Sequence, residues 1–280
     1  MKSDFDIYTG MANGVWEGGF GDGEPILHAA LDNPLPPILG STFCRRFMLA
    51  RADINSPYPG GNVLASLSNQ IDNGVYLSID DSRTLDMRFH ARSENAVTAG
   101  MNVGAACRYR ADTLHSASTP EGFDGYGMSF GPVLNYGAEE HHGNGNLPGV
   151  LYLRLWARQN MALIGNNQAG LREVLLDTNP LTSAVWQPFT WYRFRFKLVP
   201  QAGVGVTLTA FVLNDLTAND DMEGNWTEVG RMDVGIEDTW YVPLGSGQRV
   251  GWYTAANAGA YPPPGPSMLF DNFEARVVTD

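Results

Sequence analysis

Apolar and polar side chains alternate along residues 186–214, and this segment sets the pattern for the rest of the chain. Its first arm places aromatic and aliphatic side chains on one face and Arg193, Arg195 and a lysine on the other. A period of two is typical of a β-strand with one buried and one solvent-facing side. Pro200 lacks a backbone N–H and is expected to end the pairing before a turn. A second alternating arm follows, so the segment predicts an antiparallel hairpin with Phe194 buried and Arg195 exposed.

The same alternation recurs through most of the sequence, whereas helical periodicity is almost absent. Only Leu27–Asn33 and Leu64–Ile71 could each hold a short helical turn. Residues 75–92 predict a second hairpin, with Arg88 and His90 on its solvent-facing side. Further strands are predicted at 42–49, 101–110, 125–131, 149–157, 160–164, 171–177, 226–234, 250–254 and 268–278.

Residues 1–40 differ from this pattern, because aromatic side chains are scattered there among glycines and prolines without alternation. We therefore predict an extended, irregular N-terminal arm at 1–40 and a single β-sandwich domain at 41–280. The whole chain holds 32 glycines and 17 prolines, a content that suits the many turns of an all-β protein. About a dozen strands joined by polar loops predict an all-β fold of two packed antiparallel sheets.

The 280-residue chain is acidic, with a formal net charge of −12 at pH 7. Phosphate backbones and anionic membrane surfaces would repel such a chain, so we expect neither nucleic acid nor a membrane as a partner. The first ten residues lack the apolar core of a secretory signal peptide, which predicts synthesis in the cytoplasm. Cys44 and Cys107 each lie in a strand-like run and are expected to be small buried thiols rather than a disulfide framework.

Four segments in the second half of the chain carry a family resemblance: TWYRFRFKL at 190–198, LTAFVLND at 208–215, VGWYT at 250–254 and LFDNFEARV at 269–277. In this order they resemble the concanavalin A-like (laminin-G-like) jelly rolls, over about residues 100–280, of the kind also found in phage virion structural proteins. The resemblance implies a two-sheet antiparallel jelly-roll sandwich. It does not imply one activity, because fold does not determine function.

Many members of that family are glycosidases or polysaccharide lyases, but their catalytic signatures are missing here. The retaining glycosidases carry two glutamates on one strand as E-x-D-x-x-E, and no such spacing occurs in this sequence. The lyase signatures Gln-x-His and Tyr-x-Lys are also missing. Residues 127–131 spell G-x-S-x-G, but Pro132 follows and strand alternation continues, so they do not predict the strand–turn–helix of a nucleophile elbow. We therefore predict that the protein is not an enzyme and has no hydrolase activity.

Three groups of polar residues could bind a metal ion, and each has a plainer interpretation. Residues 139–146 combine carboxylates with two histidines, but sequence neighbours rarely converge on one ion, so a solvated loop is favoured. The loop Asn214–Asn225 is rich in carboxylates, yet it lacks the spacing of a dedicated calcium loop. The resemblance implies a structural calcium beside the last strand, with Asp271 as a ligand. Asp271 also suits a hydrogen-bond acceptor in a turn, so no cofactor is expected and the structural calcium stays open.

Two functions from different classes fit these observations. The first is a non-enzymatic structural or attachment component of a virus particle, a capsid decoration or tail protein of a tailed phage. It would be made in the host cytoplasm, reside in the virion, and bind other virion proteins or copies of itself. Its assembly interface would use the aromatic side chains of the arm, Phe5, Tyr8, Trp16 and Phe20. The alternative is a carbohydrate-binding module, or a glycoside hydrolase or polysaccharide lyase of the same fold, with glycan as its ligand.

Overall fold

The computed structural model of the chain describes residues 2–3, 16–17, 25–29, 43–48, 62–67, 83–93, 101–109, 125–132, 138–142, 150–158, 168–241, 249–256 and 267–278. Side chains are described chiefly at 83–93, 125–132, 150–157 and 172–241. The regular elements of these residues are β-strands, apart from one 3-10 turn at Glu223–Asn225. This part of the chain is therefore all-β, as the alternation predicts. No helix in the described ranges is long and apolar enough to cross a membrane.

The described residues form eighteen strands: β1 (Lys2–Ser3), β2 (Trp16–Glu17), β3 (Pro25–Ala29), β4 (Phe43–Met48), β5 (Asn62–Leu67), β6 (Thr84–Ser93), β7 (Met101–Tyr109), β8 (Gly125–Pro132), β9 (Ala138–His142), β10 (Leu151–Arg158), β11 (Gln168–Leu176), β12 (Thr178–Asn179), β13 (Ala184–Val185), β14 (Tyr192–Gln201), β15 (Gly205–Leu213), β16 (Trp226–Gly235), β17 (Arg249–Ala256) and β18 (Ser267–Val278). Sheet A has the order β16-β15-β14-β6-β18-β4-β3, and β1 also pairs with β18. Sheet B has the order β2-β5-β17-β7-β8-β10-β11-β9, while β12 and β13 pair separately. Both sheets are antiparallel, except that β9 runs parallel to β11.

The hydrophobic core lies between the two sheets. Side chains of β6, β14 and β15 on the inner face of sheet A meet those of β7, β8 and β10 on the inner face of sheet B. The rings of Phe130 in β8 and Phe194 in β14 have centroids 5.0 Å apart, and Trp186 packs edge-on against both. These aromatic contacts join the sheets into a β-sandwich. Cys107 is buried in the same core, as expected, whereas the side chain of Cys44 lies outside the described residues.

The hairpin expected within residues 186–214 is confirmed as β14 and β15. Phe194 and the other apolar positions of its first arm face the core. Pro200 does not end the strand, contrary to expectation, since pairing with β15 continues to Gln201. β14 pairs with β6 only as far as Leu198, so Pro200 lies on an edge of the sheet, where a missing N–H is tolerated.

Most other strand predictions are confirmed, but two local ones are wrong. β3 and β5 cover the described parts of the two segments where helical turns were considered. Of the hairpin predicted over residues 75–92, the described arm is β6, which pairs with β14 on one edge and with β18 on the other. The first part of the loop expected at 139–146 is the strand β9. Residues 75–79 and 160–164 lie outside the described residues.

The largest correction concerns the charged face of sheet A. Arg195 is 2% exposed and Arg193 4% exposed, and Asp86 and Arg88 of β6 are equally buried. The prediction of a solvent-facing side is wrong here, because the loop at 214–225 covers this face and pairs its carboxylates with the arginines. The alternation thus separates an apolar buried face from a charged buried face.

Parts of the predicted N-terminal arm pair with the sheets. β1, β2 and β3 all come from residues 2–29, and they pair with β18, β5 and β4 respectively. The rest of residues 1–40 lies outside the described residues. The division into an arm at 1–40 and a domain at 41–280 stays a prediction.

Candidate functional site

The outer face of sheet B carries large polar and aromatic side chains on β10. Leu153 and Leu155 point into the core, whereas Tyr152, Arg154 and Trp156 alternate with them on the opposite face. That face is also buried, and Arg154 is only 1% exposed. A buried guanidinium is costly unless it has charged or hydrogen-bonding partners. β10 thus places a guanidinium that needs such partners on the outer face of sheet B.

Strand pairing brings two further polar residues to this position. Ser129 of β8 lies directly opposite Arg154, and Glu173 of β11 lies directly opposite Trp156. Directly opposed residues of antiparallel strands have Cβ atoms about 5 Å apart, so these side chains are neighbours. We name them together the sheet B cluster: Ser129, Tyr152, Arg154, Trp156 and Glu173.

The indole of Trp156 lies over Gly127 of β8. The two residues are register partners, and a Cβ atom added at Gly127 would overlap Cζ2 of the indole. It would also lie 2.6 Å from the carbonyl oxygen of Ala105, well inside normal contact distance. The absence of a side chain at Gly127 therefore leaves room for the indole of Trp156 beside Ser129 and Arg154.

Arg154 and Glu173 form the ion pair of the cluster. Nη1 of Arg154 lies 3.4 Å from Oε1 of Glu173, and both side chains are at most 4% exposed. This contact is longer than the roughly 2.7–2.9 Å of a strong charge-assisted hydrogen bond. Within the described part of the chain, neither Nε of Arg154 nor Oγ of Ser129 has a hydrogen-bond partner. Buried polar atoms rarely lack a hydrogen-bond partner. In the cluster, Nε of Arg154 and Oγ of Ser129 can therefore each form a further hydrogen bond with a ligand.

One residue able to exchange protons occupies a register position beside the cluster, and a second lies one strand further away. His141 of β9 pairs with Glu173, and Tyr253 of β17 pairs with Gly104, which is itself the partner of Ser129. Only the backbone of His141 and Tyr253 is described. The cluster contains a guanidinium, a hydroxyl and a carboxylate; the imidazole of His141 belongs to the next strand, and the phenol of Tyr253 belongs to a strand beyond β7. Groups of these kinds can bind a carbonyl or carboxylate and move a proton.

Ser129 lies within a regular strand. β8 continues from Gly125 to Pro132, so the G-x-S-x-G match is not a nucleophile elbow, as expected. The cluster itself is not among the predicted sites, although residues 151–157 contain a signal for it. Tyr, Arg and Trp alternate with leucines there, where a solvent-facing strand would carry smaller polar residues.

The predicted assembly-interface residues lie mainly outside the described part of the chain. Phe5, Tyr8 and Phe20 are not described, and Trp16 is described only by its backbone in β2, opposite Leu67. Their role at an interface stays a prediction.

Asp271, the predicted calcium ligand, lies in β18 opposite His90, and its side chain is not described. The next residue, Asn272, accepts a hydrogen bond from Nη1 of Arg193 at its carbonyl oxygen, over 2.5 Å. Among the described residues, no group of three or more His, Cys, Asp or Glu is placed to hold a metal ion. The structural calcium stays a prediction.

No protein-family model matches the sequence, and no curated protein matches it. Solved structures do match along the whole chain. A carbohydrate esterase from the Shiga toxin-encoding bacteriophage phi24B has a TM-score of 0.50 and 7% identity, with 100% of this chain and 98% of that chain covered. A marine alginate lyase from Aplysia kurodai has a TM-score of 0.48 and 8% identity, with 99% and 98% covered. An endo-β-1,4-glucuronan lyase from Trichoderma reesei has a TM-score of 0.48 and 8% identity, with 98% and 94% covered.

The prediction of a non-enzymatic protein is wrong in the light of these matches. A solved structure that matches this sandwich from end to end, at a TM-score of 0.50, is a carbohydrate esterase. The prediction depended on the missing E-x-D-x-x-E pair and the missing lyase signatures, and the first of these motifs belongs to retaining glycosidases only. What the chain shares with the phage esterase is the jelly-roll-type β-sandwich fold.

Proposed function

We propose that the protein is a carbohydrate-active enzyme whose substrate binds at the sheet B cluster. The phage carbohydrate esterase supports the carbohydrate part of this proposal, because its fold corresponds to this chain from end to end. Fold alone does not determine chemistry, so the position of the site depends on the cluster.

One observation carries the proposal: Oγ of Ser129 and Nε of Arg154 are buried, directly opposed across two strands, and without hydrogen-bond partners in the described residues. Leaving a buried polar group unpaired costs about 1–3 kcal/mol. Here two such groups lie on directly opposed residues of β8 and β10. A ligand oxygen bound between them would satisfy both.

The groups of the cluster define the class of substrate. The guanidinium of Arg154 suits an oxygen of a carboxylate or of an ester carbonyl. Trp156 supplies an aromatic ring of the kind that packs against an apolar sugar face. The substrate is therefore a polysaccharide that carries carboxylate or ester groups. The reaction is ester hydrolysis or elimination beside a carboxylate, and His141 and Tyr253 are the candidates for moving the proton.

Incubation with acetylated and unacetylated uronate polysaccharides tests this proposal. Released acetate would identify an esterase, and the ultraviolet absorbance of unsaturated products would identify a lyase. Arg154→Lys keeps the charge but loses the Nε donor, and it should lower turnover about a hundredfold. Arg231→Lys is the control, because Arg231 is an exposed arginine of β16 that pairs with an exposed Glu228, away from the cluster. No product from any polysaccharide, or an equal loss in the control, would overturn the proposal.

We also propose that the enzyme works within a phage particle, with other virion proteins or further copies of the chain as partners. The phage origin of the matched esterase supports this location. The aromatic residues predicted as anchors are Phe5, Tyr8, Trp16 and Phe20. On a density gradient the protein should sediment with infectious particles and remain bound through a high-salt wash. Recovery solely as unbound protein would contradict the location.

A further inference from the structure

The outer face of sheet A is positively charged beneath the segment 214–225. Among the described side chains of β6, β14 and β18, five cations form ion pairs here: Arg88, Arg193, Arg195, Lys197 and Arg276. Asp86 and Glu274 of the same strands are the carboxylates that pair with them. Burial and the positive charge of Arg193 lower the pKa of His90 well below its usual value, so this histidine is neutral. These five positive and two negative side chains sum to three positive charges beneath the segment, in a chain whose net charge is −12.

The segment 214–225 supplies three carboxylates that balance this charge. Oε1 of Glu223 lies 2.7 Å from Nη2 of Arg195 and 3.1 Å from Nζ of Lys197. Oδ2 of Asp220 lies 2.8 Å from Nη2 of Arg193. Oδ1 of Asp221 lies 3.0 Å from Nη1 of Arg88. Three carboxylates of the loop that was considered for calcium, Asp220, Asp221 and Glu223, therefore bind cationic side chains. Two donors also bind the main chain of the segment, since Arg88 and the indole of Trp226 both donate to the carbonyl oxygen of Asp220.

The two partners in these contacts differ in exposure. The side chains of Arg88 and Arg195 are 4% and 2% exposed, whereas those of Asp221 and Glu223 are 58% and 67% exposed. No residue of 214–225 is buried, and only a half-buried Leu216 packs against a small apolar cluster. An ion pair with one solvent-accessible partner is screened more than a fully buried pair. The segment is thus held in place by ion pairs whose acidic partners are open to solvent, with Asp220 the least exposed of them at 29%.

We propose that the segment 214–225 is an internal ligand that an acidic polysaccharide displaces, and that the outer face of sheet A is a binding surface for polyuronate. Uronate carboxylates would replace those of Asp220, Asp221 and Glu223 on the same guanidinium groups. The ring of Trp226 lies among them, 5.7 Å from Cζ of Arg88 and 5.5 Å from Cζ of Arg195. A row of guanidinium groups beside an aromatic ring suits a chain of charged sugars. This surface is on the opposite side of the sandwich from the sheet B cluster, so the inference does not depend on the proposed function.

Calorimetric titration with alginate oligosaccharides at low ionic strength tests the inference. The triple variant Asp220→Asn, Asp221→Asn, Glu223→Gln removes the charge of the internal ligand and should bind alginate about tenfold more tightly than the natural chain. Asp215→Asn is the matched control in the same segment, because the Asp215 carboxylate accepts hydrogen bonds from Thr217. It should bind alginate like the natural chain.

If the triple variant folds poorly, amide hydrogen exchange on the natural chain provides a second test of the inference. Alginate should speed amide exchange within 214–225 and leave β14 unchanged, because displacement frees the segment alone. Unchanged affinity in a folded triple variant, or unchanged exchange in the natural chain, would overturn the inference. An equal gain in affinity for an oligodeoxynucleotide would also overturn it, since the surface would then select charge and not polyuronate.

Discussion

Arg195 holds Asp86 in a bidentate ion pair beneath the segment 214–225. Nε of the arginine lies 3.0 Å from Oδ1 of the aspartate, and Nη2 lies 2.7 Å from Oδ2. Burial raises the pKa of Asp86, but hydrogen bonds from Arg195 and Arg88 outweigh this effect and leave that pKa below its usual value. The carboxylate is therefore ionised at neutral pH, and its burial depends on the two arginines.

The first prediction concerns this pair. Arg195→Ala should lower the free energy of unfolding by about 3–5 kcal/mol, because it removes a partner of a buried carboxylate. Arg231→Ala is the control, since Arg231 is exposed and lies 3.6 Å from an exposed Glu228. It should change the free energy of unfolding by less than about 1 kcal/mol. Denaturant unfolding measures both, and equal losses would contradict the prediction.

The second prediction concerns the apolar side of the same strand. Phe194 is fully buried, and its ring meets Phe130 and Trp186 between the sheets. Phe194→Ala should cost about 3–5 kcal/mol of unfolding free energy, through lost transfer energy and the cavity left behind. Phe189→Ala, at a ring that is 54% exposed, should cost far less in the same denaturant experiment. A small loss for Phe194→Ala would mean that the core repacks around the missing ring.

The third prediction concerns acid. The hydrogen bond from Arg195 lowers the pKa of Glu223 to about 2; burial opposes this effect, and the hydrogen bond from Lys197 adds to it. A carboxyl group with a lower pKa in the folded state stabilises that state above its unfolded pKa, and this stability is lost as pH falls. Thermal stability should therefore fall between about pH 4.5 and pH 2. Glu223→Gln should flatten this part of the curve, whereas Glu228→Gln should follow the natural chain. An unchanged slope in Glu223→Gln would contradict the assignment.

The sequence predicts the strands well, because the period of two along a segment such as 192–198 is present whether the outer face of the sheet is open to solvent or covered by a loop. It does not predict what lies on the outer faces. Arg195 looks solvent-facing when only its own strand is considered, and its burial depends on carboxylates such as Glu223, 28 residues away. The sheet B cluster is missed for a related reason. Ser129 and Arg154 become neighbours only through strand register, which alternation within one strand does not determine.

The last prediction tests whether the position of Trp156 matters at the sheet B cluster. A Cβ at Gly127 would overlap the indole, so Gly127→Ala should displace the ring and cost about 1–3 kcal/mol of unfolding free energy. Near-ultraviolet circular dichroism should change, because the indole leaves its fixed surroundings. Gly224→Ala is the control, since a Cβ at Gly224 would meet nothing within 4 Å.

If the cluster binds substrate, Gly127→Ala should also lower turnover on the polysaccharide that the natural chain processes, although it leaves Ser129, Arg154 and Glu173 unsubstituted. Gly224→Ala should keep full turnover. A Gly127→Ala protein with an altered tryptophan spectrum and full activity would remove Trp156 from the site, and the substrate would then have to contact Arg154 without an aromatic neighbour.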